Sequence, residues 1–121
     1  MQPAPPLYKK GQVRCQAFGF PVKEGDLVAW AEKHNIRVGK KNYIRRDAAW
    51  RAICSRLPPN HRRITTIRDA MPSRSASLCF VVGTNLNDKD MELTQDVELI
   101  KLLSDAIDMD KCPGWFYMCE V

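Results

Sequence analysis

The chain has 121 residues, 45% of them hydrophobic and 27% charged, with a formal net charge of +5. Such a composition belongs to a globular rather than a disordered protein, and a chain of this size can bury a core without a metal or disulfide to hold it. No apolar run approaches the ~18 residues a membrane span needs.

The opening "MQPAPPLYKKGQ" has no apolar centre and no small-residue cleavage pattern, so a signal peptide is not expected. Residues 1–11 read as a flexible Pro-rich arm and 12–121 as a single α+β domain. In "QVRCQAF", 12–18, Val13, Cys15 and Ala17 alternate with Gln12, Arg14 and Gln16, which predicts a half-buried strand ended by "GFP". From Glu24 to Asn35, Leu27, Val28, Trp30 and Ala31 share a stripe, predicting a short helix with Asp26 and His34 at the ends that suit its dipole.

After Gly39, "KKNYIRR" reads as a basic connector. Ala49, Ile53 and Leu57 then repeat every four residues, so a second helix is expected over 46–57, stopped by "PPN". "RRITTIRDA" is β-branched and predicts a strand; "MPSRSA" predicts a loop. "SLCFVVGT", 77–84, is nearly all apolar and predicts a strand buried on both faces. Leu93, Val97, Ile100, Leu103 and Ile107 follow a 3.6-residue period, predicting one helix over 90–108. "WFYMCEV" closes the chain as a strand with Trp115, Tyr117, Cys119 and Val121 on one side.

The resulting order is β-α-α-β-β-α-β. Without its second helix this is the split β-α-β order of ferredoxin-like folds, so the expected architecture is an antiparallel sheet with helices packed on one face and the second helix inserted.

Five cysteines at scattered spacings form no C-x-x-C and no zinc pattern, so reduced thiols and a cytoplasmic or nuclear setting are expected. No metal or cofactor site is assigned: "NLNDKDMELTQD" lacks the glycine and register of a calcium loop. Neither a P-loop, G-x-S-x-G nor H-E-x-x-H occurs, and no residue is given a catalytic role.

Charge is the lopsided feature. Residues 1–74 hold 16 Lys/Arg against 5 Asp/Glu, whereas 75–121 hold 3 against 9. Ten of the cations lie in "KHNIRVGKKNYIRRDAAWRAICSRLPPNHRR", 33–63. Lys supplies point charges and Arg planar forks for phosphate oxygens, and an interleaved tyrosine can stack on an unpaired base. The expected function is therefore a non-enzymatic domain contacting the phosphate backbone of nucleic acid or another polyanion through Lys40, Lys41, Tyr43, Arg45, Arg46, Arg62 and Arg63. A helix-turn-helix is disfavoured by the ten-residue gap between Asn35 and Arg46, and an RRM by a third strand offering only Phe80 and Val81 of its aromatic signature. The alternative is a protein-interaction or homodimerisation module, in which the basic face meets an acidic partner or a second copy and Trp115 and Tyr117 anchor the interface. A weaker alternative is a small cofactor-free enzyme using His61 as a base.

Overall fold

The structure, a computed structural model, describes residues 3–68 and 76–119. Most of the loop expected at 71–76 and the terminal Val121 fall outside those residues.

Strand β1 (Gln16–Val22) starts later than the alternation suggests and runs straight through the "GFP" expected to end it. Proline is tolerated there because β4 (Gly114–Tyr117) covers β1 only from Gln16 to Gly19. On that side of Pro21 a missing N–H leaves no partner unsatisfied. On its other side β1 pairs antiparallel with β3 (Ala76–Thr84), which pairs in turn with β2 (Ile64–Arg68). The order across the sheet is β2-β3-β1-β4, and every neighbouring pair is antiparallel.

Helix α1 (Glu24–Lys33) opens with Asp26 accepting a hydrogen bond from the Lys23 N–H at 2.9 Å, and buries Leu27, Trp30 and Ala31. Helix α2 (Asn42–Arg56) begins four residues before the expected Arg46, because half of the presumed connector forms its first turn. It buries Ala49 and Ile53, and Leu57 beyond its end. A 3-10 turn, Pro59–His61, begins on the second proline of the pair.

The helix expected over 90–108 is two helices, α3 (Asp88–Leu93) and α4 (Val97–Ile107). Side-chain caps divide them. Asn87 accepts from the Asp90 N–H at 2.8 Å, and Asp96, in an extended conformation, accepts from the Leu99 N–H at 3.0 Å. A residue extended to cap one helix cannot continue another. The restart also shifts the phase: Leu99, Leu103 and Ile107 turn inward, while Val97 is 76% exposed.

One face of the sheet presents Phe20, Val22, Phe80 and Val82 to a core completed by Leu27, Trp30, Ala49, Ile53, Leu103 and Ile107 from the helices. Each large side chain so buried contributes roughly 1.5–3 kcal/mol. Ala17, Cys79, Val81 and Ile67 are equally buried but lie outside that cluster. The chain past β4 reaches back to the far edge of the sheet at β2. Met118 bridges Ile67 of β2, the Cys119 N–H donates to the Thr66 carbonyl at 2.9 Å, and the Met118 N–H donates to the Cys15 carbonyl at 3.1 Å. Gly19 stands where β1 and β3 approach closely. A Cβ at Gly19 would collide with the Phe80 carbonyl and come within 2.8 Å of Cys79 Sγ.

The Pro-rich stretch is tied to this sheet by Asn85, which is 0% exposed. Its amide donates to the carbonyls of Pro6 (3.1 Å) and Arg14 (2.9 Å), and its Oδ1 accepts from the Gln16 N–H (2.8 Å). Its own carbonyl accepts from the Tyr8 N–H. The chain is thus α+β: among the described residues it forms a four-stranded antiparallel sheet and four α-helices, none long and apolar enough to cross a membrane.

Candidate functional site

The connection between α1 and α2 is built by a Schellman ending. The Ile36 N–H donates to the Ala31 carbonyl at 2.8 Å and the Asn35 N–H to that of Glu32 at 3.2 Å, with Asn35 left-handed at φ 54°. Ile36 folds back onto the core, as this motif requires. Two further left-handed residues follow, Arg37 at φ 52° and Gly39 at φ 81°, and the Lys40 N–H closes a turn on the Arg37 carbonyl at 3.1 Å. Glycine adopts that conformation without strain, but arginine does so at a cost of about 1–2 kcal/mol. The result is a fixed loop from which Arg37, Lys40 and Lys41 project into solvent.

The seven residues expected to form one basic surface fall into two groups. Lys40, Lys41 and Tyr43, the last 53% exposed, stand at the N-terminal end of α2 with Arg45 and Arg46 in its first turns. Arg62 and Arg63 lie past its other end, a helix of 15 residues and about 22 Å away.

The four arginines also have partners. Arg45, whose side chain is 12% exposed, pairs with Glu32 at 3.1 Å, and its buried Nε has no hydrogen-bond partner among the described residues. Arg46 lies 3.5 Å from Glu24 and 3.1 Å from Asp47. Arg62 donates to the carbonyls of Leu57 (3.0 Å) and Ser55 (3.4 Å), closing the C-terminal end of α2. Arg63 grips both oxygens of Asp90, at 3.0 and 2.8 Å. Arg45 and Arg46 therefore clamp α2 to α1, and Arg63 ties the basic half of the chain to the acidic half.

What stays presented is the loop. Helix α2 has no acidic residue in its first turn and no side-chain cap at Lys41, so its N-terminal N–H groups add to the positive field of Arg37, Lys40 and Lys41. Beside them is a cavity of about 470 Å³, lined by Ile36, Ile44, Ala48 and Ala52 with Arg37, Arg51 and Asp47 around it. The Asp47 carboxylate is the one that Arg46 holds. Arg37 lay within the basic stretch but outside the residues singled out from sequence. Its place between Asn35 and Gly39, two residue types suited to left-handed backbone, was the available signal.

The aromatic end of the chain is partly occupied within the fold. Trp115 packs against Phe18 with ring centroids 5.3 Å apart, and Tyr117, 45% exposed, lies under the Arg14 guanidinium at 4.3 Å. His34 ends α1, stacks on Trp30 at 3.9 Å and meets Asp108 at 3.0 Å. The Asp108 carboxyl is held below its ordinary value chiefly by a hydrogen bond from Lys33, against the opposing effect of desolvation and with the Lys33 charge and His34 assisting. His61 sits half-buried in the 3-10 turn. Among the described residues, no group of three or more His, Cys, Asp or Glu is placed to hold a metal ion.

Comparisons of the chain with protein-family models, curated proteins and solved structures returned no match.

Proposed function

We propose that the protein binds the phosphate backbone of single-stranded nucleic acid through the α1–α2 connection, with Arg37, Lys40 and Lys41 on phosphates and Tyr43 stacking on an unpaired base. The observation that carries this reading is the projection of three cations from one rigid loop at the uncapped, positive end of α2, with no carboxylate in the connection. The apolar-floored cavity beside Arg37 has room for a base or sugar next to the phosphate track. Arg45 and Arg46 support the surface by holding α2 against α1, while Arg62 and Arg63 serve the fold at the helix's far end. Contacts of this kind position a strand without reading its sequence, so selectivity between sequences is low.

Three neutralised phosphates on a single strand give a log–log salt slope of about −2. Fluorescence anisotropy with a labelled oligothymidylate and an oligouridylate, at several salt concentrations, measures it. Reversing Arg37, Lys40 and Lys41 to Glu abolishes binding with the circular dichroism spectrum unchanged. Binding that survives the triple reversal overturns the proposal. Equal competition by polyaspartate would assign the loop to acidic proteins instead.

We also infer that the sheet and helices are a ferredoxin-like arrangement with α2 inserted. Supporting this, β1 and β2 are both antiparallel to the β3 that separates them, the relation left by a crossover that skips one strand.

A further inference from the structure

A buried polar residue with every side-chain hydrogen-bonding group used is costly to replace and fixes the position of whatever it binds. Asn85 is such a residue, and what it holds is the segment from Pro6 to Arg14. That segment supplies no buried side chain to the core: Leu7, Tyr8, Lys9, Lys10, Gly11 and Gln12 are all exposed. It is nonetheless folded into a tight turn, with Lys9 bridging Val13 and Gly11 left-handed at φ 79°. The order imposed on this arm therefore does little for the core and shapes a surface.

The surface is a cavity of about 660 Å³ between the arm and the residues just past β4. Its walls are Tyr8, Val13, Met118 and the two cysteines 15 and 119; its charged lining is Lys10 and Arg14, with no carboxylate among the described residues that line it. A volume of this size suits a small ligand. Arg14 is preorganised: its guanidinium lies over the Tyr117 ring at 4.3 Å, which restrains the fork without using its N–H groups. Lys10 adds a second charge from the turn.

We propose that this cavity is a binding site for a small oxyanion, carboxylate or phosphate monoester, carried on an apolar body. The anion bridges the Arg14 fork and the Lys10 ammonium, and the apolar part lies against Tyr8, Val13 and Met118. The site shares no residue with the α1–α2 loop and does not depend on nucleic-acid binding there.

The test is heteronuclear NMR titration of the full chain with benzoate, phenyl phosphate and, as a neutral match, benzyl alcohol. Both anions shift the amides of residues 10–15, 118 and 119 saturably, and benzyl alcohol does not. The stronger of the two identifies the headgroup. Arg14→Gln weakens binding at least about tenfold, the loss of a charge-assisted hydrogen bond. Lys10→Gln, on an exposed turn, weakens it too, and the Arg37, Lys40 and Lys41 reversals leave it unchanged. Shifts that are absent, equal for the neutral compound, or retained in both Arg14→Gln and Lys10→Gln overturn the proposal. The wild-type comparison of charged and neutral probes decides the matter even if Arg14→Gln fails to fold.

Discussion

Arg63 and Asp90, 27 positions apart, meet as a two-pronged ion pair in which Asp90 Oδ2 also accepts the Thr84 N–H at 3.0 Å and its hydroxyl at 2.6 Å. The pair joins the start of β2, the end of β3 and helix α3 in one knot. Burial by itself would raise the Asp90 pKa, but the hydrogen bonds from Arg63 and Thr84, with the guanidinium's charge, together outweigh it and hold the carboxyl below its ordinary 3.8. A pKa lower in the folded than in the unfolded chain means stability that is present in full above the unfolded value and is lost as pH falls through the folded one. Asp90→Asn is expected to cost about 2 kcal/mol at pH 7, the worth of a charge-assisted bond. In urea unfolding, the gap between variant and wild type should narrow below pH 4 or so. A gap that is constant with pH would show that the ionised carboxylate is not what holds the knot.

Arg37 bears left-handed backbone that glycine adopts more readily. Arg37→Gly is therefore expected to raise stability by about 0.5–1 kcal/mol while weakening oligonucleotide binding. Chemical denaturation and anisotropy on the same sample separate the two effects. A variant that gains stability and keeps full affinity would remove Arg37 from the binding surface.

Two glycines should respond oppositely to alanine. A methyl at Gly25, within α1, would meet nothing within 4 Å, and Gly25→Ala is expected to stabilise by about 0.5–1 kcal/mol through helix propensity. Gly19→Ala places its methyl against the Phe80 carbonyl and 2.8 Å from Cys79 Sγ, and is expected to destabilise by about 1–3 kcal/mol or more. Thermal melts of the two variants check the pair. Equal effects would mean that β1 and β3 are not so closely apposed.

Burial pushes the Cys79 thiol up to about 12, so it carries almost no thiolate at pH 8. Cys112 is exposed. Alkylation at pH 8 followed by peptide mapping should find Cys112 modified first and Cys79 only as fast as the chain unfolds. Comparable rates would mean that the fold does not seal Cys79 from solvent.

Helix α2 shows how far local pattern reaches. The four-residue repeat of Ala49, Ile53 and Leu57 was enough to locate it, and Pro58 and Pro59 its end, because both signals act within one or two turns. Its start was not legible, since Ile44 is the one aliphatic residue from Asn42 to Arg45 and the Arg45–Glu32 and Arg46–Glu24 contacts with α1 favour their helical form. The split of α3 from α4 was legible in principle, as Asp96 stands three residues before Leu99, yet an apolar stripe running through both masked it.

Alternation and apolar period along the chain determined that this protein is α+β, many of the residues that face its core, though not Val97, and that its cations crowd one half. Which of those cations meet solvent was decided only in three dimensions. A guanidinium is committed or available according to the carboxylates and carbonyls within about 3–4 Å of it, and for Arg63 that group came from residue 90. The same holds for Asn85, whose partners at 6, 14 and 16 reach it only because the sheet brings β1 beside the end of β3. Sequence period registers near neighbours along one element; it carries no record of contacts made across seventy residues.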